Sequence, residues 1–367
     1  MDKVAATYMK LALRLAAKGA GWVSPNPMVG AVVVKDGLIV GKGYHRRVGA
    51  PHAEVEALRQ AGDASRGADL YVTLEPCNHQ GRTPPCTQAI LSAGVGRVII
   101  ATPDPNPSVA GGGGSYLRSI GVKVAEGLLK EEARRLNEAW FHWVATGRPW
   151  VIAKAACSLD GKIATAGGES QWLTGEASRA YGHRLRHRVD AILVGINTAL
   201  SDDPQLTTRL PRGRGRDPVR LVLDSRLRLP LTARLLHLDS PAPTWVACTR
   251  EAPKEKIKAI KERGAEVLVF PPETGRIPLK PLLELLGRQQ VQSLLVEGGA
   301  EILGSFFEQR LVNQFYFFYV PKILGGRTAP GVLGGEGVAR LVEAHQVRDL
   351  AIRRIEQDIL VMGYLAD

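Results

Sequence analysis

Four side chains in the first hundred residues have the types and spacing of a metal site. Pro51-His52-Ala53-Glu54 opens a stretch with helical patterning. Pro76-Cys77 ends a short apolar run 25 residues after His52, and Cys86 follows nine residues later. One imidazole and two thiolates suit tetrahedral zinc and leave a fourth position for water. Zinc lowers the pKa of such a water to near neutrality, so hydroxide is available as a nucleophile. Glu54 is close enough to take a proton from that water without being a ligand, and to pass it to a leaving amine. A lone histidine or cysteine would read as a core residue, but four matching residues at a strand end and helix starts favour the metal. Cys157 and Cys248 lack such partners and read as small buried hydrophobes. His79, between the two ligand cysteines, reads equally as a substrate contact or a surface residue.

A second candidate lies further on. Leu294 to Ile302 reads as strand, Gly298-Gly299 turn, then helix. Glycines there let a phosphate approach the backbone at a helix N-terminus. The run is not a GxGxxG fingerprint, and taken alone a tight turn explains it equally well.

Local signals place the elements that must carry these groups. Tyr8 to Lys18 has helical spacing. Ala31 to Val34 and Leu38 to Val40 flank an Asp36-Gly37 hairpin signal. Ala53 to Ala61 and Thr87 to Ala93 read as helices, and Leu70 to Leu74 and Arg97 to Ala101 as strands. Glu131 to Ala145 reads as one helix stopped by Gly147, with Pro149 beyond, which sets a domain boundary between 1–146 and 147–367. Strand candidates in the second part are Trp150 to Ala156, Ala191 to Val194, Val219 to Leu223, Thr244 to Ala247, Val267 to Phe270, Ser293 to Val296, Phe315 to Val320 and Ile359 to Leu365. Lys254 to Arg263 and Leu279 to Leu286 alternate with them as helices, so both parts read as α/β. Asp104 to Ser115, with its four glycines, and residues 206–218 are the expected loops.

Composition sets outer bounds. Of 367 residues, 45% are hydrophobic and 23% charged, which excludes a disordered chain, a coiled coil and a collagen-like repeat. No apolar run reaches the ~18 residues a membrane span needs. The N-terminus lacks a signal-peptide pattern. Four cysteines make no disulfide scaffold, so a cytoplasmic enzyme with reduced thiols is expected. The net charge of +12 is spread over both parts. It fits a solvated basic surface, or attraction of phosphate esters or nucleic acid.

The His-x-Glu and Pro-Cys pattern is that of zinc nucleobase deaminases, with eight residues instead of two between the cysteines. Beyond that pattern, Asn26 to His45, Pro51 to Leu58, Tyr71 to Cys86 and Asp104 to Gly111 resemble the deaminase half of the bifunctional riboflavin-biosynthesis deaminase/reductase family. Lys154 to Ala164, Gly168 to Thr174, Val194 to Arg209, Leu223 to Ser225, Val296 to Gly299 and Pro321 to Gly326 resemble its reductase half, in order.

The resemblance implies a cytidine-deaminase-like α/β/α domain followed by a dihydrofolate-reductase-like α/β domain. It implies one zinc and NADPH as cofactors. The implied reaction is deamination of a phosphoribosylated diaminopyrimidine, then reduction of the ribose to ribitol. It makes His52, Cys77 and Cys86 the zinc ligands and Glu54 the proton shuttle, with Asn26, His45, Arg82 and Thr83 around the pyrimidine. It assigns the cofactor to Ala156, Trp172, Thr198, Asp202, Ser225, Gly299, Ala300, Glu301, Ile302, Leu303, Gly304 and Ser305, and the reductase substrate to Ser170, Arg186, Leu206, Arg209 and Glu297. Arg186 also fits a solvated basic helix face, Asn26 a turn, and Asp202 a helix cap. The sequence run Gly111 to Ser115 departs from the family's Gly-basic-Gly and resembles a flexible linker. The aromatic strand Phe315 to Tyr319 reads as core or as a subunit interface, and a homo-oligomer is expected. Neither a membrane nor a nucleic-acid partner is expected. The rivals are a nucleic-acid-editing deaminase with an appended binding domain, and a zinc sensor with a dead site. Glu54 argues against the second, since a purely structural site needs no proton shuttle.

Overall fold

Asp36 and Gly37 both take positive φ, 49° and 78°, and make the two-residue turn that the Asp-Gly pair demands, with Lys35 paired to Leu38 across it. This hairpin belongs to the first of two units in the computed structural model, which describes residues 3–79, 84–106, 112–213 and 215–366. Backbone contacts divide the chain into Met1–Gly147 and Arg148–Asp367. The elements below are those of the described residues.

The first unit runs α1 (Lys3–Ala16), β1 (Gly30–Lys35), β2 (Leu38–Tyr44), α2 (Ala53–Ala61), β3 (Asp69–Val72), α3 (Cys86–Ser92), β4 (Arg97–Ile100), α4 (Gly113–Ser119), β5 (Lys123–Glu126), α5 (Lys130–Leu136) and α6 (Glu138–Thr146). The sheet order is β2-β1-β3-β4-β5. β1 is antiparallel to both neighbours, and β3, β4 and β5 are parallel. Ala31 and Val33 face a cluster with Ala57, Ile90 and Leu117, while Val32 and Val34 face Met9, Ala12 and Ala133 on the other side. A strand covered on both faces needs an unbroken apolar run, and Ala-Val-Val-Val is one. The result is an α/β/α sandwich.

Three local expectations change here. The helix read as Glu131 to Ala145 is two helices, broken at Asn137. Its buried amide accepts from the Met28 N–H (2.8 Å) and donates to the Met28 carbonyl (2.9 Å). The Gly147 stop is as expected, at φ 69° with its N–H on the Trp143 carbonyl. The expected loop from Asp104 to Ser115 ends early, because Gly113, Gly114 and Ser115 begin α4. Residues 107–111 lie outside the described ones. Gly113 and Gly114 are buried, and a Cβ on Gly113 would collide with the carbonyl oxygen of Pro76. These two glycines are there for close packing. β5 was missed because Lys-Val-Ala-Glu is an exposed edge strand with little apolar signal.

The second unit runs β6 (Trp150–Ser158), α7 (Glu176–Arg188), β7 (Ala191–Gly195), α8 (Ile196–Asp202), β8 (Val219–Leu223), β9 (Thr244–Thr249), α9 (Lys254–Glu262), β10 (Glu266–Phe270), α10 (Leu279–Arg288), β11 (Ser293–Val296), α11 (Ala300–Glu308), β12 (Gln314–Val320), β13 (Val347–Ile355) and β14 (Asp358–Leu365). The sheet order is β10-β9-β8-β7-β11-β6-β12-β14-β13. The first seven are parallel and the last two antiparallel. One face packs on Leu282, Leu286, Leu303 and Phe306, the other on Leu185, Leu229 and Ile260.

Residues 206–218 carry no helix or strand among those described, as expected. The aromatic strand, β12, lies inside the sheet between β6 and β14, with Phe315 and Phe318 buried. Its aromatics therefore serve the core. The outer edge is β13, exposed along most of its length, with an arginine-rich sequence that carries no strand alternation.

Candidate active sites

In the first unit, the fold brings three separate segments to one point. His52 stands at the N-terminus of α2, Cys77 in the loop after β3, and Cys86 at the first position of α3. His52 Nδ1 lies 3.1 Å from Cys86 Sγ and 3.6 Å from Cys77 Sγ, and the three ligand atoms lie within 4.8 Å of one another. Ligands on a tetrahedral zinc, at about 2.0–2.3 Å from the metal, sit roughly 3.3–3.8 Å apart, so the donor set fits that ion. The Cys86 N–H points at Cys77 Sγ (3.3 Å). Hydrogen bonds from Cys86 and His52 pull the Cys77 thiol down to about 4, against the effect of burial. His52 is raised, chiefly by its bond to Cys77.

Glu54, in the first turn of α2, is 3% exposed, and its Oε2 has no hydrogen-bond partner. Burial raises its pKa. A buried carboxylate oxygen with nothing to bond is costly unless water or substrate completes it. His45 is also buried, its ring edge-on to His52 at 5.4 Å. Its Nδ1–H donates to the Pro51 carbonyl (3.2 Å), leaving Nε2 to accept from Asn26 Nδ2 (3.1 Å). Burial lowers its pKa, in keeping with a neutral ring. The structure thus gathers Asn26, His45, His52, Glu54, Cys77 and Cys86. Arg82 and Thr83 lie outside the described residues.

Sequence reasoning missed Glu75. Its carboxylate accepts from the Gly114 N–H (2.9 Å) and the Asp104 N–H (3.1 Å), tying the Cys77 loop to the next loop and to α4. The only local signal was its place directly before Pro76-Cys77.

In the second unit, a cavity of about 1610 Å³ opens at the C-terminal ends of the parallel strands, where open α/β sheets bind ligands. Ala156, Ser170, Arg186, Thr198, Asp202, Leu206, Ser225, Glu297, Gly299, Ala300, Glu301, Ile302 and Ser305 line it. Four expected residues do not. Trp172 is 66% exposed and lies against Arg179, 5.2 Å from its ring. The Arg209 guanidinium folds onto Gln205 and Thr207. Leu303 is in the core, and Gly304 packs against the Gly334 backbone, because the helical turn rotates both inward.

Glu297 is a largely buried charge of the cavity wall, its side chain 10% exposed. Arg186 pairs with both of its oxygens (3.0 and 2.9 Å), and Lys154 Nζ lies 3.6 Å from Oε2. Burial alone would raise this carboxylate, but Arg186 and then Lys154 hold it at about 2. Lys154 lines the cavity and was not singled out, although it opens one of the motif runs. Asp202 ends α8, and Asp203 caps it at φ 38°. Gly299 precedes α11 at φ −66° and ψ 172°, a conformation open to any residue. Its N–H donates to Thr198 Oγ1 (3.1 Å). Neither backbone strain nor the protein's own packing requires glycine there, since a Cβ would meet only Thr198 Oγ1 at 3.4 Å.

Comparisons with known proteins cover both units. The profile described as "Cytidine and deoxycytidylate deaminase zinc-binding region" matches residues 2–102, and "RibD C-terminal domain" matches 149–361. The riboflavin biosynthesis protein RibD of Actinobacillus pleuropneumoniae is 44% identical over 354 residues, covering 96% of this chain and 93% of its own. The chain belongs to the RibD family. A solved RibD of Acinetobacter baumannii superposes with a TM-score of 0.90 at 36% identity, covering 100% of this chain and 99% of its own. A Thermotoga maritima structure described as a diaminohydroxyphosphoribosylaminopyrimidine deaminase/5-amino-6-(5-phosphoribosylamino)uracil reductase gives 0.87 at 37% identity, covering 99% of each chain. As a RibD protein, the chain is a bifunctional enzyme of riboflavin biosynthesis, a deaminase joined to a reductase. The full-length match favours this over an editing deaminase with a separate binding domain. No helix among the described residues is long and apolar enough to cross a membrane.

Proposed function

We propose that residues 1–146 deaminate the diaminohydroxyphosphoribosylaminopyrimidine and that residues 147–367 reduce the ribose of the resulting 5-amino-6-(5-phosphoribosylamino)uracil to ribitol. His52, Cys77 and Cys86 hold one zinc, which when bound supplies an acidified water. Glu54 accepts the proton of the attacking water. Oxygen bonds to the ring carbon bearing the amine, the C–N bond breaks, and Glu54 returns the proton so that ammonia leaves. His45 and Asn26 present a fixed, neutral edge to the pyrimidine. The observation that carries this reading is the unpartnered Glu54 Oε2 beside the three-ligand cluster.

In the second unit the cavity takes NADPH, which when bound supplies the hydride. Gly298-Gly299 let its pyrophosphate approach, and the backbone N–H groups of the first turn of α11 receive it. Glu297 accepts hydrogen bonds from substrate hydroxyls, and Arg186 holds that carboxylate ionised and aimed. The bidentate face of Arg186 is used on Glu297, which leaves Arg209, exposed with its guanidinium on Gln205 and Thr207, as the cation for the substrate phosphate. A second copy of the chain covers the edge of β13, where Val347, Leu350 and Ile352 are exposed. A cytoplasmic location is supported by the four free cysteines.

The test is incubation of the full chain with the phosphoribosylated diaminopyrimidine, with and without NADPH, followed by mass analysis. Exchange of an amino group for oxygen is expected in both cases, and gain of two hydrogens only with NADPH. Absence of ammonia release sinks the first assignment, and absence of the hydrogenated product sinks the second. Light scattering checks the oligomer, and a monomer would overturn the paired edge.

A further inference from the structure

The connection from α8 to β8 carries Leu206 and Arg209, yet residues 206–218 have no helix or strand of their own among those described. Irregular backbone must find its hydrogen-bond partners elsewhere. Here α7 supplies several of them. His183, Arg186 and His187 stand at i, i+3 and i+4 and share one face of that helix. His183 Nδ1 accepts from the Arg209 N–H (3.3 Å). Arg186 Nη1 donates to the Thr207 carbonyl (3.2 Å). His187 Nδ1 accepts from the Arg216 N–H (3.0 Å), and Asp190, just past the helix, accepts from Arg216 Nη1 (3.3 Å).

This face does more than anchor a loop. The Nε and Nη2 of Arg186 hold Glu297, so one guanidinium ties that carboxylate to the backbone of the loop. The Arg209 guanidinium rests on Gln205 and Thr207 of its own segment, so it goes where the loop backbone goes. The α7 side chain bonded to the Arg209 backbone is His183, one turn before Arg186. Burial, and then the charges of Arg186 and Arg209, hold the His183 ring at about 4, so it is neutral near pH 7. A neutral imidazole has one nitrogen free to accept, which the Arg209 N–H requires.

We propose that His183 is a positioning residue for reduction: it fixes the Arg209 backbone so that the arginine and Glu297 stand at a set separation and engage the phosphate and the sugar of one substrate together. The inference rests on the reading that Arg209 takes the substrate phosphate. A loop that is already pinned loses less freedom when substrate arrives, and an unpinned one must be ordered at the moment of binding. Loss of the His183 acceptor should therefore weaken substrate binding and leave the hydride step itself alone.

Steady-state reduction of purified 5-amino-6-(5-phosphoribosylamino)uracil by the full chain, at saturating NADPH, tests this. His183→Leu should raise KM roughly three- to tenfold, the worth of one neutral hydrogen bond, with kcat little changed. His183→Asn should restore KM, because its amide oxygen takes the place of Nδ1 as acceptor. Arg209→Gln should raise KM by about tenfold or more, and adding His183→Leu to it should raise KM little further, since the histidine acts through the arginine. A lower kcat at wild-type KM in His183→Leu would show a folding role alone and overturn the assignment. Failure of His183→Asn to restore KM would overturn it too, as would effects of His183→Leu and Arg209→Gln that multiply. An unchanged KM in Arg209→Gln would remove the phosphate reading and this inference with it. A raised KM there beside an unchanged one in His183→Leu would remove the positioning role alone.

Discussion

Arg186 holds Glu297 by both oxygens, Nε to Oε1 at 3.0 Å and Nη2 to Oε2 at 2.9 Å, across 111 residues of sequence. The pair joins α7 to the end of β11, with side-chain exposures of only 16% and 10%. It settles how a wall of the cavity can carry a carboxylate that is both buried and ionised.

Breaking this pair should be costly. Glu297→Gln leaves the Arg186 guanidinium buried without its counter-charge, a change worth about 3–5 kcal/mol in comparable buried pairs. The expected outcome is lower stability of the second unit and loss of reduction, with deamination retained. Denaturant unfolding and separate assays of the two steps check it.

The same pair sets an acid limit. Glu297 is held at about 2 in the folded chain, below the roughly 4.3 of a free glutamate. A depressed carboxylate contributes stability above its unfolded pKa and loses it as pH falls through the folded one. The stability difference between wild type and Glu297→Gln should be constant above about pH 5 and shrink between about pH 4.5 and 2. A difference independent of pH in that window would contradict the pairing.

Glu54→Gln should bind zinc normally and lose deamination by roughly 10²–10⁴-fold, since an amide carries no proton from water to amine. Elemental analysis and ammonia release on one preparation decide between this and a structural role, which would lower both together.

Gly113→Ala should disturb the metal loop from a distance in sequence. Its Cβ would strike the Pro76 carbonyl, next to Cys77. Overpacking of this kind costs about 1–3 kcal/mol. Lower zinc occupancy and a lower melting point of the first unit are expected, with NADPH-dependent reduction unchanged. Full zinc occupancy would show that the loop can give way.

Separate expression of 1–147 and 148–367 should give two folded, active proteins. The hydrophobic clusters of the first unit contain no residue beyond Val144, and those of the second begin at Trp150. Circular dichroism and each half-reaction measured alone check this, and insoluble or inactive halves would show interdependence.

Much of this protein was legible from sequence because the signals are local. The Asp36-Gly37 turn, the Gly147 stop, and the runs Val219–Leu223 and Ser293–Val296 are set by neighbours a few residues away. The types and spacing of His52, Glu54, Cys77 and Cys86 pointed to a metal and a base before any fold was known. What depends on distant partners was not legible. Four glycines in a row resemble a linker until Pro76 is seen pressing on Gly113, and Glu75 looks unremarked until it is found bonded to Asp104 and Gly114. Arg186 reads as a solvated cation until Glu297 neutralises it. Leu303 and Gly304 sit in the right motif, yet the 3.6-residue turn of α11 aims them at the core. Residue identity determined which chemistry was available here. Only packing, which sets who faces whom and what water is excluded, decided which of those groups the two sites can use.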